Sequence, residues 1–346
     1  MSLEFLWYIP NTVEAGDRGD DVAGGWANLE LATELALTAE QHGWEGALIG
    51  TGWGRPDTFT IATAIAARTT TFKPLVATRP GYWQPAQFAN AAATLDHLSG
   101  GRLLVNIVSG RDNLAAYGDS EGEQASRYAR TKEFMQIVRQ LWTSENVTYR
   151  GSHFWVENST LPLRPPGNRP GLYFGGASAP AEAVAATEAD VQLFWGEPLD
   201  GIAERVARLR SLEASLEREH APLEFGLRIT TLIRDSSDTA WRDAETKVAA
   251  MRPGRVDLGW RQATGQQRLV ELAAQGEVLD SCLYTAPAQF GQAGAGSTWL
   301  VGSASEVASA LQAYASLGIS HFILSDTPYL SEASRTGDQL LPLLRS

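Results

Sequence analysis

Two rhythms of apolar and polar positions take turns along this chain. Short apolar runs at residues 3–9, 44–50, 72–78 and 102–109 have the length of strands. Between them, residues 27–42, 57–68 and 85–98 carry apolar positions at helical spacing. Turn chemistry separates the two. Pro10-Asn11 stops the first run, Gly43 ends the first helix, Asp57 opens the second, and Arg79-Pro80-Gly81 closes the third run. Residues 12–25 are polar and rich in Gly and Asp, and read as a loop. The alternation continues with a helix over 126–142, a hairpin over 147–157 turning at Arg150-Gly151-Ser152, and an extended Pro-rich segment over 161–170. Strands at 172–174, 191–195 and 224–233 are followed by helices at 179–187, 201–220 and 238–250. An insertion over 251–297 holds a helix near 266–274 and the glycine-rich run 291–296. A helix at 304–317, a strand at 320–325 and a closing helix at 330–344 complete the series.

Eight strands alternating with helices predict a parallel sheet closed as a (β/α)8 TIM barrel, an α/β fold. A doubly wound open sheet is the alternative, and eight such units are many for one. No linker of biased composition and no solenoid period divides residues 1–346, so one barrel domain is expected. Its insertions fall at about 144–170 and 251–297, the larger between strands seven and eight.

In such a barrel the chemistry sits at the C-terminal ends of the strands. That rule singles out Tyr8, Thr51, Thr78, Asn106, Gly175, Trp195, Arg228, Thr230 and Ser325. Strand 102–109 is almost wholly apolar (Leu103, Leu104, Val105, Ile107, Val108), yet Asn106 sits inside it. A buried amide without a partner costs about 1–3 kcal/mol, so Asn106 binds either a neighbouring backbone group or a ligand. In the seventh strand, alternation puts Phe225, Leu227 and Ile229 on one face and Gly226, Arg228 and Thr230 on the other. Arg228 then points into the barrel mouth, where it needs an interior carboxylate or an anionic ligand. Phe174-Gly175-Gly176-Ala177-Ser178 leaves a strand and enters a helix. It is either a tight turn or a phosphate cradle built from free N–H groups at a helix start. Trp7, Trp53, Trp83 and Trp195 lie near strand ends or mouth loops, where they can cover a flat aromatic cofactor.

Composition removes several function classes. The formal net charge is −12 with the basic residues scattered, which argues against nucleic acid as a partner. No run reaches the roughly 18 apolar residues of a membrane span, and residues 1–10 lack the pattern of a signal peptide. The single cysteine, Cys282, excludes an intrachain disulfide. A cytoplasmic enzyme is the expectation. Metal chemistry has little support, because no two of His42, His97, His153, His220 and His321 have ligand spacing. There is no Gly-x-Ser-x-Gly elbow with a plausible triad, and no Gly-x-Gly-x-x-Gly follows the first strand.

The chain resembles the bacterial-luciferase-like flavin monooxygenases, most closely their alkanesulfonate monooxygenase branch. The resemblance spans nearly the whole chain. It is carried by Phe5-Leu6-Trp7-Tyr8-Ile9-Pro10, by Ala93-Thr94-Leu95-Asp96-His97-Leu98-Ser99-Gly100-Gly101-Arg102 and by Asn106-Ile107-Val108-Ser109-Gly110. Further on it is carried by Leu172-Tyr173-Phe174-Gly175-Gly176-Ala177-Ser178, Trp195-Gly196-Glu197-Pro198 and Phe225-Gly226-Leu227-Arg228. It implies a (β/α)8 barrel that takes reduced FMN from a partner flavin reductase, reacts it with O2 and oxygenates an organosulfur, alkanesulfonate-like substrate. It implies further that Thr78 and Asn106 lie by the isoalloxazine, that Tyr128 contacts the flavin, and that Gly176, Ala177 and Ser178 hold the FMN phosphate. Trp195 would lie near the ring, and Arg228 would bind a substrate anion or steady the oxygenated flavin. A homodimer or homotetramer is implied as well.

Four positions depart from the alkanesulfonate pattern. Thr230 stands for a histidine, Arg55 for a mouth cysteine, Gln292 for an arginine of the glycine-rich insertion, and Thr327 for a tyrosine. The expected catalytic set is therefore Arg228, Asn106 and Thr230, with Arg55, Trp7, Gln292 and Thr327 at the substrate or on the lid. Two other readings share the fold. One is a deazaflavin-dependent dehydrogenase, and the other is a flavin-binding barrel without activity.

Overall fold

The computed structural model describes residues 2–11, 30–110, 113–120, 123–216, 218–251, 264–290 and 297–345. Among them the chain builds a closed parallel barrel. Its strands are β1 (Glu4–Ile9), β2 (Gly46–Ile49), β3 (Lys73–Thr78), β4 (Leu104–Ile107), β7 (Gly171–Gly175), β8 (Val191–Trp195), β9 (Glu224–Arg234) and β13 (Ile319–Ser325). They pair in that order, and β13 closes on β1 through Glu4↔His321 and Leu6↔Ile323. Helices α1 (Glu30–Gln41), α2 (Thr58–Ala66), α3 (Pro85–Ser99), α4 (Gln124–Thr143), α5 (Ala179–Glu188), α6 (Leu199–Ser215) and α7 (Ser237–Ala250) follow successive strands. The expected (β/α)8 barrel is the fold observed.

Local signals fix many of the boundaries. Asp57 Oδ1 accepts the Thr60 N–H at 2.8 Å and caps α2. Gly100 ends α3 in the left-handed region at φ 71°, which glycine adopts without strain. The hairpin after α4 pairs β5 (Val147–Arg150) with β6 (Trp155–Ser159). The insertion differs from expectation. Besides α8 (Thr264–Gln275) it holds two short strands, β10 (Val278–Leu279) and β11 (Leu283–Tyr284), leading to β12 (Trp299–Ser303). β12 runs parallel to the far half of β9, Trp299↔Thr230 to Ser303↔Arg234. β9 is 11 residues long, so it outgrows the barrel and its surplus length takes a second neighbour. Helices α9 (Ala304–Ser316), α10 (Tyr329–Gln339) and α11 (Leu341–Arg345) complete the chain.

Strand parity divides the core. Leu6, Leu75, Tyr173, Val191, Leu193 and Ile323 fill the barrel, while Phe5, Trp7, Val76, Val105, Leu172, Phe194 and Leu227 meet the helices. The N-terminal end of the barrel is closed by a polar floor. Tyr173 donates its hydroxyl to Glu4 Oε2 at 2.8 Å, Lys73 Nζ reaches Glu4 Oε1 at 2.5 Å, and His321 joins Glu4 at 2.9 Å and Glu224 at 2.6 Å. Burial pushes the Glu4 carboxyl up, but the hydrogen bonds from His321 and Lys73 outweigh it and hold the group down at about 2. Burial pulls His321 down, and its bonds to Glu224 and Glu4 more than reverse this, so its pKa is raised.

The two shifts bound a pH window. Glu4 contributes stability above the free carboxyl pKa of about 4.3 and loses it as pH falls towards about 2. His321 contributes below about 6.5 and loses its share as pH rises past its raised value. The floor should therefore be strongest between these limits. Melting temperatures taken across pH should fall on the acid side, and Glu4→Gln should flatten that limb. An unchanged acid limb in the variant would show that other carboxylates govern it.

Candidate functional site

Parity also decides which side chains look into the mouth. The inner positions at the C-terminal strand ends are Tyr8, Gly50, Ala77, Asn106, Gly175, Trp195, Arg228, Thr230 and Ser325, judged from the register of neighbouring strands. Glycine and alanine occupy the side of β2, β3 and β7. The bulk of Tyr8, Arg228 and Trp195 lies across from them. On β4 of this rim, Asn106 stands in register between Ala77 of β3 and Tyr173 of β7.

Two polar atoms there are orphaned. Asn106 is 8% exposed, and its Oδ1 is buried without a hydrogen-bond partner. Ser178 stands at the N-cap of α5 with extended backbone, yet its hydroxyl caps nothing and is likewise buried and unpartnered. Each orphan costs about 1–3 kcal/mol, which a ligand group would recover. The turn before Ser178 has no slack. A Cβ on Gly176 would stand 2.5 Å from Ala181 Cβ and 3.7 Å from the Tyr128 hydroxyl, so the backbone runs close to α5 and beside Tyr128. Tyr128 itself is buried, edge-on to Phe174 at 6.3 Å. Gly176, Ala177, Ser178 and Tyr128 therefore come together at one helix N-terminus, a place that favours anions.

Across the mouth, Arg228 is 7% exposed. Its guanidinium lies 4.6 Å from the centre of the Tyr8 ring, donates to Ser325 Oγ at 3.0 Å and to the Ile229 carbonyl at 3.1 Å. Trp195 pairs in register with Arg228 and is 38% exposed. Thr230 is fully buried, and its hydroxyl lies 3.4 Å from Ser297 Oγ.

Other expected residues stand differently. Trp7 does not reach the mouth. It is fully buried on the outer face of β1, 4.7 Å from the ring of Trp44, because the inner face of that strand belongs to Glu4, Leu6 and Tyr8, of which only Tyr8 lies at the mouth end. Thr78 shares its parity with Ile107, and Ala77 is the residue in register with Asn106. Arg55 is turned to the backbone, donating to the carbonyls of Pro10 and Asn11. Thr327 is fully buried, its carbonyl bound by Lys247 Nζ at 2.5 Å. Nearby, burial and the charge of Asp326 raise the Glu332 carboxyl to about 7. Gln292, with the rest of the glycine-rich run, lies outside the described residues.

Sequence reasoning missed Gln192 and Arg205, whose side chains donate to the Gly176 carbonyl, and Glu197, which pairs with Arg205. Gln192 carried the same signal as Asn106, a lone amide in an apolar strand. Arg205 gave none, since it is one of several arginines on a helix with an exposed face. Among the described residues no cluster of three or more His, Cys, Asp or Glu is arranged to hold a metal ion, and no helix is long and apolar enough to cross a membrane.

Residues 3–321 match the family model of the luciferase-like monooxygenases. Among solved structures, a riboflavin lyase with modified FMN and riboflavin superposes with a TM-score of 0.81 at 20% identity, covering 100% of this chain and 92% of that one. A long-chain alkane monooxygenase superposes at 0.80 and 16% identity, covering 100% and 91%. An F420-dependent secondary alcohol dehydrogenase does so at 0.73 and 18% identity, covering 100% of both chains.

Proposed function

Because this chain belongs to the luciferase-like monooxygenase family, we propose that it is the oxygenating component of a two-component system, using reduced FMN from a separate flavin reductase and O2 to oxygenate a small anionic, organosulfur compound. The observation that carries the cofactor assignment is the orphaned amide oxygen of Asn106, buried on the inner face of β4 in register with Ala77 of β3 and Tyr173 of β7. Reduced flavin, when bound, supplies the activation of oxygen. The protein's own residues bind, orient and shield. Asn106 meets a polar edge of the ring. Ser178 and the N–H groups at the start of α5 take the phosphate. Trp195 covers the mouth, and Arg228 with Thr230 receives the anionic group of the substrate. An even-numbered homo-oligomer and a cytoplasmic location belong to the same reading.

Asn106→Leu separates ligand binding from packing. The substitution removes a buried, unpartnered amide oxygen, so the melting temperature should hold or rise. Affinity for reduced FMN should fall about fivefold, the worth of one hydrogen bond near 1 kcal/mol. Equal affinity in parent and variant would mean that Asn106 does not serve the flavin. The substrate class is tested by turnover with a reductase and O2 on sulfonates, sulfones and aldehydes. The likeness to an F420-dependent enzyme, complete over both chains, supports a second reading, hydride transfer with a deazaflavin. Binding of deazaflavin in preference to FMN, with no O2 consumed, would select it.

A further inference from the structure

Beneath the turn at Gly176 one buried arginine joins three parts of the top face. Arg205, on α6, is 1% exposed. Its Nη2 donates to the Gly176 carbonyl at 2.7 Å, its Nε to Glu182 Oε1 at 3.1 Å and its Nη1 to Glu197 Oε1 at 2.8 Å. The guanidinium also lies 4.6 Å from the centre of the Phe194 ring. Gln192 Nε2 donates to the same Gly176 carbonyl at 3.0 Å. Both donors lie on the helix side of the sheet. The Gly176–Ala177 peptide is trans, so its N–H points opposite its carbonyl. Drawing the carbonyl into the helix layer therefore turns the Ala177 N–H out of it, above the start of α5, beside the unpartnered hydroxyl of Ser178.

Glu197 divides its carboxylate. Oε1 serves Arg205, and Oε2 takes the Nε of Arg268 at 3.1 Å. Arg268 belongs to α8 of the insertion, whose first turn lies against Trp195, where a Cβ on Gly265 would stand 3.6 Å from the indole. The loop that carries Glu197 is fixed along its backbone as well. Thr298 donates to the Gly196 carbonyl at 2.5 Å and Tyr314 to the Glu197 carbonyl at 2.7 Å. Turn, loop and insertion helix are thus connected through two ion pairs that share one buried carboxylate.

We propose that Arg205 is the positioning residue of the phosphate cradle, and that the Glu197–Arg268 pair links that cradle to α8, so that phosphate binding at Gly176–Ser178 and the seating of α8 beside Trp195 favour one another. The inference rests on the reading that a flavin phosphate binds at this turn. Linkage makes the coupling reciprocal, so loosening α8 must weaken phosphate binding.

The test compares reduced FMN with reduced riboflavin, which lacks the phosphate, in anaerobic titrations of the full chain. Wild-type protein should prefer FMN by about tenfold or more. Arg205→Lys keeps the charge but cannot fork to three acceptors, and should shrink that preference to about threefold or less. Arg268→Gln, a side chain 33% exposed and remote from the turn, should cut the preference about fivefold with riboflavin affinity unchanged. If Arg205→Lys fails to fold, the Arg268 variant alone decides. A merely structural role would weaken both flavins together, and that result overturns the proposal. So does an undiminished FMN preference in both variants. Absence of any FMN preference in the wild type would instead reject the phosphate reading itself.

Discussion

Arg228→Met should weaken binding of an anionic substrate by about 2–5 kcal/mol and move the melting temperature by only a few degrees. Methionine keeps a long apolar stem against Tyr8 and removes the charge. Among its contacts, the fold loses the cation over the Tyr8 ring at 4.6 Å and the bonds to Ser325 and the Ile229 carbonyl. A cation–π contact is worth about 0.5–2 kcal/mol and each hydrogen bond about 0.5–1.5. Against that, the fold no longer buries a cation, which is itself costly. These contributions oppose one another in stability, whereas in binding only the loss remains. A sulfonate and a neutral sulfone of the same skeleton give the contrast, since only the sulfonate should suffer. Arg55 is held by the carbonyls of Pro10 and Asn11, so it should not compensate. A large fall in melting temperature with the sulfonate preference intact would reject Arg228 as the anion site.

That Arg228 faces the mouth was readable from the sequence because alternation is a local rule, and the same rule explains where reading went astray. Asn106 and Arg228 each interrupt an apolar strand, and parity carried both to the inner face. In β1 the polar residues Glu4 and Tyr8 share one parity and Phe5, Trp7 and Ile9 the other. Followed strictly, that pattern assigns Trp7 to the helix layer, where it meets Trp44. Its place near a strand end was the weaker guide. Thr78 and Ala77 differ by one residue, and the inner one follows from the register Ala77↔Asn106, which pairing between two strands fixes. β12 was hidden for another reason. Its short apolar run follows the glycine-rich stretch and finds its partner in the overhang of β9, which no local pattern announces. The network around Arg205 is the least legible part. Its partners Gly176, Glu182, Glu197 and Arg268 lie on separate elements, so only the closed barrel brings them together.

Ser178→Asp should stabilise the empty protein and abolish most of its affinity for FMN, two effects of opposite sign from one carboxylate. Ser178 holds the N-cap position of α5 but makes no side-chain cap bond. Aspartate is a strong N-cap residue and a favourable charge at a helix start, each worth about 0.3–1 kcal/mol, so the melting temperature should rise. The same carboxylate stands where the phosphate is proposed to bind. At roughly 5 Å with an effective dielectric constant of about 20, two like unit charges repel by about 3 kcal/mol, and a phosphate carries more than one. Screening by the α5 N–H groups reduces this, which leaves a loss of at least about tenfold in FMN affinity and more at low ionic strength. Riboflavin, without the phosphate, should bind parent and variant alike. The pair of ligands separates charge repulsion from a distorted turn, because distortion near Tyr128 and Phe174 would disturb both. Unchanged FMN affinity in the aspartate variant would place the phosphate elsewhere, and a rise in melting temperature alone would leave α5 as a helix that merely lacked its cap.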